Sequence, residues 1–156
     1  LFFVVMVRDT DVVLRIGRKY GIDEALSIYT SKIYVNHWVG LKYRFNVKDS
    51  CKHTLSPDQT YKLLKEYKRA VLVIGNKNEN FKKALVEMEQ ELIKEGYHKS
   101  IALVNEPCSI CNNDDITRPA FEPLGIDIVS TVRKFKKNAP QPAPGEYPPY
   151  GIILVG

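Results

Sequence analysis

The chain has 156 residues and a mass of 17.8 kDa, the size of one ordinary domain, since halves of it would fall near the lower limit of a self-sufficient core. With 44% apolar and 26% charged residues, six Phe and nine Tyr, it can bury a sizeable core, which excludes global disorder and a disulfide-dependent miniprotein. The net charge of +5 is uneven: residues 40–69 hold Lys42, Arg44, Lys48, Lys52, Lys62, Lys65, Lys68 and Arg69 against Asp49, Asp58 and Glu66. That difference equals the whole surplus. Such clustering reads as a solvated helix face, or as a patch that attracts phosphate or another anionic partner. No RNA-recognition, basic-zipper or zinc-finger spacing accompanies it, so specific nucleic-acid binding is not expected.

The longest early apolar run, Leu1 to Val7, is far shorter than the ~20 residues of a spanning helix, and no small-residue cleavage pattern follows it. Neither membrane insertion nor classical secretion is expected, and the run reads as a short edge strand. Leu1 stands where a Met would open a gene product, which leaves Met6 as an alternative start. Thr10 reads as the cap of a helix over 10–20 that carries Val12, Val13, Ile16 and Tyr20, stopped by Gly21. Glu24 to Thr30 reads as a strand, and Lys32 to Val39 as a second extended piece pairing with it as a hairpin.

Ser56-Pro57-Asp58-Gln59 is a helix start: a hydroxyl cap, Pro at the first helical position, and Gln three residues on to complete a capping box. This helix is expected to run to about Lys68. Val71 to Ile74, closed by Gly75, is a continuous apolar run of the kind buried on both faces of a sheet. Asn78 is expected to cap a helix over 79–95 whose stripe is Phe81, Leu85, Met88 and Leu92, ended by Gly96. Ile101 to Val104 repeats the buried-strand pattern, and Val73, Ile74, Leu103, Phe81, Leu85 and Met88 are the expected core. Phe121 to Phe135 reads as a broken helix. Pro140 to Pro149 holds five of the nine prolines and must be an extended connection, since Pro lacks an amide hydrogen. Ile152 to Val155 reads as a last strand returning to the same core. The alternation predicts an α/β fold, residues 1–156 as a single domain. Strands near 24–30, 70–75, 100–105 and 151–155 would form a mixed, mostly parallel sheet covered by helices.

Three cysteines, Cys51, Cys108 and Cys111, are an odd set with no secretion signal, which points to a reducing, cytoplasmic setting and not to structural disulfides. Cys108-Ser109-Ile110-Cys111 is a C-x-x-C, a spacing that lets two thiolates converge on one metal ion or one redox bridge. Following a buried strand, it should sit at an edge of the sheet where ligands bind. Cys51 lies a few residues before the Ser56 helix start, where backbone dipoles and the charges of Lys48 and Lys52 favour a thiolate. With His53 the three cysteines could furnish four ligands for zinc, or three thiolates for an iron-sulfur cluster. The plainer reading makes Cys51 a buried loop residue and His53 a surface one. His37 and His98 show no partner pattern.

Cys108-Ser-Ile-Cys111 followed by Arg118-Pro119-Ala120-Phe121-Glu122-Pro123-Leu124-Gly125-Ile126-Asp127-Ile128 resembles the end of a cysteine-rich prokaryotic family of uncharacterised predicted metal-binding proteins. That family shows a C-x-x-C, a further cysteine, an Arg-Pro-Ser-Met-Glu-like run and Gly-Ile-Asp-Val. Trp38 to Lys42, Cys51 and the Ser56-Pro57 helix start resemble its earlier block, and the likeness runs from Thr10 onward. Part of the cysteine set is missing. Tyr43 stands where the family carries a cysteine soon after the Lys matching Lys42, Asn112 to Thr117 contains none, and Lys52-His53 replaces Pro-Pro after Cys51.

The resemblance implies metal binding, with zinc or iron-sulfur as the cofactor, or a degenerate member that has lost its metal. It implies no particular reaction. Two other classes compete: a metal-free binding or interaction domain that uses the basic 40–69 segment for an anionic partner, and a thiol redox protein using the C-x-x-C. The redox reading ranks last, because thioredoxin-like sites place that motif early, at a helix start. No G-x-S-x-G, G-x-x-x-x-G-K or G-x-G-x-x-G occurs, so hydrolase-elbow, Walker and dinucleotide readings find no support.

Overall fold

A computed structural model describes residues 2–22, 24–46, 54–76, 80–105, 117–139, 142–143 and 146–156. The first element is a helix, α1 (Phe2–Lys19), and not the expected edge strand with a cap at Thr10. A short apolar run fits helix and strand equally by periodicity, and no Gly or Pro separates Phe2–Val7 from the amphipathic segment behind it, so one helix takes in both. It ends where expected: Gly21 adopts φ +75°, and the Ile22 amide turns back to donate to Gly17 O at 2.8 Å.

Strand β1 (Glu24–Tyr29) follows. The anticipated hairpin partner at Lys32–Val39 is absent: Thr30–Lys32 form a 3-10 turn, and helix α2 (His37–Asn46) opens at His37. The extended part is confined to the residues between, and its partner lies elsewhere. Val35 bridges Ile126, Asn36 N–H donates to Gly125 O, and Asp127 N–H donates to Tyr34 O. The extended character of these residues is legible in the sequence, but not the segment they face.

Helix α3 (Pro57–Lys65) has the capping box the sequence announces: Ser56 Oγ accepts from Gln59 N, and Gln59 Oε1 accepts from Ser56 N. Strand β2 (Arg69–Ile74) is buried throughout. Helix α4 (Phe81–Lys94) follows; the expected cap, Asn78, lies outside the described residues. Gly96 (φ +107°) ends it. Strand β3 (Ile101–Val104), a 3-10 turn at Glu122–Leu124, helix α5 (Ile128–Phe135) and strand β4 (Tyr150–Val155) complete the chain. The broken helix expected at Phe121–Phe135 is thus the turn plus α5.

The four strands form one sheet in the order β1-β2-β4-β3, and every neighbouring pair is antiparallel. This corrects the mostly parallel expectation. The helical crossover does join two strands of like direction, β2 and β3. They are not neighbours, because β4 inserts between them, pairing Ile74 with Tyr150 on one side and Val104 with Gly151 on the other. Local alternation reveals the crossover but not the last strand's insertion, which is a contact between distant parts of the chain.

Successive residues of β2 and β4 divide between two cores, as the twofold strand period requires. Val71, Val73, Ile153 and Val155 pack with α1 and α4, where Val13, Ile16, Leu85, Met88 and Leu92 are buried. Leu72, Ile74, Ile152 and Leu154 pack on the other face with Leu64, Phe121, Leu124, Ile126 and Val132. All six residues expected in the core are buried. No helix among the described residues is long and apolar enough to cross a membrane.

Candidate metal centre and its scaffold

All four sequence-predicted ligands, Cys51, His53, Cys108 and Cys111, lie outside the described residues. Among the described residues, no three His, Cys, Asp or Glu side chains gather to hold a metal ion. His37 and His98 are both exposed, in keeping with their lack of a partner pattern. What the structure does describe is the ground on either side of the cysteine-bearing segments.

Strand β3 is an outer strand of the sheet, so alternate backbone groups face away from β4 and need partners. Val104 N–H donates to Pro119 O, and Phe121 N–H returns a bond to Val104 O, each at 3.0 Å. Ala102 N–H donates to Glu89 Oε1 at 2.8 Å. The chain that leaves β3 toward the C-x-x-C therefore comes back along β3's own edge. Asn105 Nδ2 fixes the exit by donating to Pro148 O at 2.8 Å. The Cys51 segment ends on the same stretch: Leu55 N–H donates to Pro123 O at 3.0 Å, and Thr60 Oγ1, fully buried on α3, donates to Leu124 O at 2.6 Å.

The family-type run is itself the fastening. Arg118 donates from Nε to Glu89 Oε1 (2.9 Å) and from Nη2 to Glu89 Oε2 (2.6 Å), a bidentate pair in which the Glu89 side chain is 4% exposed and Arg118 22%. Ala120, Phe121, Pro123 and Leu124 are buried. Gly125 takes φ +72°, which lets the chain reverse and present Ile126 to Val35. Asp127 caps α5, accepting from Ser130 N at 3.1 Å and Ser130 Oγ at 2.7 Å. Its carboxylate also accepts from Asn36 Nδ2 at 3.4 Å. Arg118, Gly125 and Asp127 thus shape the scaffold.

Glu122 is the ionisable side chain of the run with a different character. Burial pushes its carboxyl above the ordinary value of 4.5, against the opposing pull of Lys42 on α2. Burial, and secondarily Glu122, raise the Tyr147 phenol as well.

Two charged residues that matter here went unmarked in the sequence. Glu89 lies four positions after Leu85 and three before Leu92 on the apolar stripe of α4, and a carboxylate there must have a buried partner. Asp9 likewise precedes Val12 and Val13 on α1, is 1% exposed, and pairs with Arg69, whose guanidinium also lies 5.9 Å from the Tyr97 ring centroid. Arg69 is therefore an internal partner and not part of a basic surface. Lys48 and Lys52 lie outside the described residues; Lys42, Arg44, Lys62, Lys65 and Lys68 are exposed.

No curated protein and no solved structure matches the chain. Residues 27–155 match the family model described as Predicted metal-binding protein (DUF2284), and the chain belongs to that family.

Proposed function

We propose that this protein binds zinc or an iron-sulfur cluster through Cys51, Cys108 and Cys111, with His53 as the fourth ligand for zinc, and that it works as a single domain in the cytoplasm. The observation that carries this reading is the shared anchorage: Leu55 is tied to Pro123 and Val104 to Pro119, four residues apart. Cys51 precedes Leu55, and Cys108 follows Val104, by four residues each. At about 3.3–3.6 Å per residue, four residues reach at most about 14 Å, so from these neighbouring anchors both segments are long enough to reach a common ion. The donor set fits the chemistry. Three thiolates and an imidazole are a common tetrahedral zinc set, and three thiolates without the imidazole suit a cluster with one open iron. A reducing compartment keeps all three thiols available.

The test is anaerobic purification of the full chain followed by elemental analysis and absorption spectroscopy. About one zinc ion or one cluster per chain is expected, lost in Cys108→Ser and Cys111→Ser and weakened in Cys51→Ser, with circular dichroism showing that each variant folds. Absence of stoichiometric zinc and iron from the anaerobic protein overturns the reading. A metal-free interaction domain then takes its place, a reading favoured by the exposed face of α2.

A further inference from the structure

Helix α2 is apolar on two faces, and only one of them meets the core. Val39 and Tyr43 are buried. Trp38, Leu41 and Phe45, at i, i+3 and i+7, are 54%, 56% and 82% exposed. At about 100° per residue these three form a stripe about 60° wide, roughly opposite the buried pair. A helix apolar on both faces is normally covered on both. Tyr61 of α3, also exposed, stands at the start of this helix and donates from its hydroxyl to Val35 O at 3.1 Å.

The charge that α2 itself sets beside the stripe is of one sign. By the same helical geometry Lys42 flanks it on one side and Arg44 on the other, and α2 contains no acidic residue. Lys42 is also near the Glu122 carboxylate, so Arg44 is the flank with fewer internal claims. Two copies of this chain meeting through the stripe would bring like charges together. Trp, Tyr and Arg around a central aliphatic side chain are the composition of a protein-protein anchor cluster, and three anchors over two turns match the apolar stripe of one partner helix.

We propose that the outward face of α2 docks an acidic amphipathic helix of a partner protein, its apolar stripe lying along Trp38, Leu41 and Phe45 and its carboxylates against Lys42 and Arg44. This inference does not depend on metal binding. Trp38 is the only tryptophan in the chain, so its emission reports directly on the face.

The experiment titrates the full chain with a synthetic helical peptide carrying Leu at i, i+3 and i+7 and Glu at the flanking positions, alongside a twin with Lys for every Glu. A saturable blue shift is expected with the acidic peptide. The twin, Arg44→Glu and Phe45→Ser should each bind at least about tenfold more weakly, and added salt should weaken binding. Circular dichroism checks that Phe45→Ser folds, as a change at so exposed a position should. No saturable shift, or an equal response to both peptides, overturns the proposal. So does a shift with phosphatidylglycerol vesicles but not with peptide, which makes lipid the occupant. Concentration-dependent dimerisation that Phe45→Ser abolishes overturns it in favour of a second copy.

Discussion

Removing the Glu89 carboxylate should strongly destabilise the protein, because it serves a strand edge as well as a cation. It accepts from Arg118 Nε and Nη2, from Gln90 Nε2 at 3.0 Å, and from Ala102 N–H at 2.8 Å. Glu89→Ala takes the acceptor from a fully buried backbone donor, an effect of about 1–3 kcal/mol by itself, and removes the carboxylate from a guanidinium whose side chain is 22% exposed. Breaking a buried pair from one side costs about 3–5 kcal/mol, and we expect that range here. Glu89→Gln keeps an oxygen for Ala102 N–H and Arg118 Nε but turns an amide donor toward Arg118 Nη2 and Gln90 Nε2, so a smaller loss of about 1.5–3 kcal/mol is expected. Urea unfolding followed by circular dichroism, with Arg118→Ala and the double variant closing a cycle, separates the pair from the backbone bond. A loss below about 1 kcal/mol for Glu89→Ala, or equal losses for Ala and Gln, would refute the assignment of Glu89 as the closure of the β3 edge.

Two further outcomes follow from packing and titration. Leu85 is fully buried, and a Cβ placed on Gly151 would lie 2.5 and 2.6 Å from its methyl carbons. Leu85→Ala should therefore cost about 2–5 kcal/mol and Gly151→Ala about 1–3 kcal/mol. The double variant should lose less than the sum in the same urea titration, since the new methyl enters the space that Leu85 vacates. For Glu122, burial holds the folded carboxyl above its ordinary 4.5, so folding favours its neutral form. Its contribution is fully present below that value and is lost as pH rises through the folded pKa. Glu122→Gln should leave the melting temperature unchanged near pH 4 and raise it at pH 7; a fall at pH 7 would show that the Lys42 attraction outweighs burial.

What the sequence discloses is what local chemistry decides. The Ser56 box, the Gly21 and Gly96 stops, and the runs at Val71, Ile101 and Ile152 each carry their cause within a few residues. The strand directions do not, because the place of β4 depends on a fit between segments some eighty residues apart. The edge of β3 needs a partner that neither the strand nor the preceding helix reveals alone. Glu89 and Arg118 become intelligible as a pair only when α4 and the chain after the C-x-x-C lie side by side. The proposed site and its surroundings differ in the same way. The proposed cysteine ligands are marked by residue type and spacing, whereas the Arg118–Asp127 run, which carries the family resemblance, supplies a bidentate clamp, a left-handed reversal and a helix cap.

Combined with the metal binding proposed above, that division of labour predicts how the protein responds when metal is withdrawn. Small metallo-domains lacking a core unfold without their ion; here both faces of the sheet are packed with fully buried aliphatic residues. The flanks of the cysteine segments are held by Leu55, Thr60, Val104 and Arg118 through bonds that involve no thiol. Chelation should therefore leave the far-ultraviolet circular dichroism intact and unfolding cooperative. The melting temperature should fall only by the linkage term, about 2.7 kcal/mol of stability for metal present at a hundredfold excess over its dissociation constant. Titrating zinc back at several free concentrations should raise the melting temperature with the logarithm of concentration, and Cys108→Ser should flatten that dependence while melting with the chelated protein. Loss of the helical signal on chelation would mean that the metal and not the sheet holds the fold, and the Arg118–Asp127 run could not then be the scaffold described above.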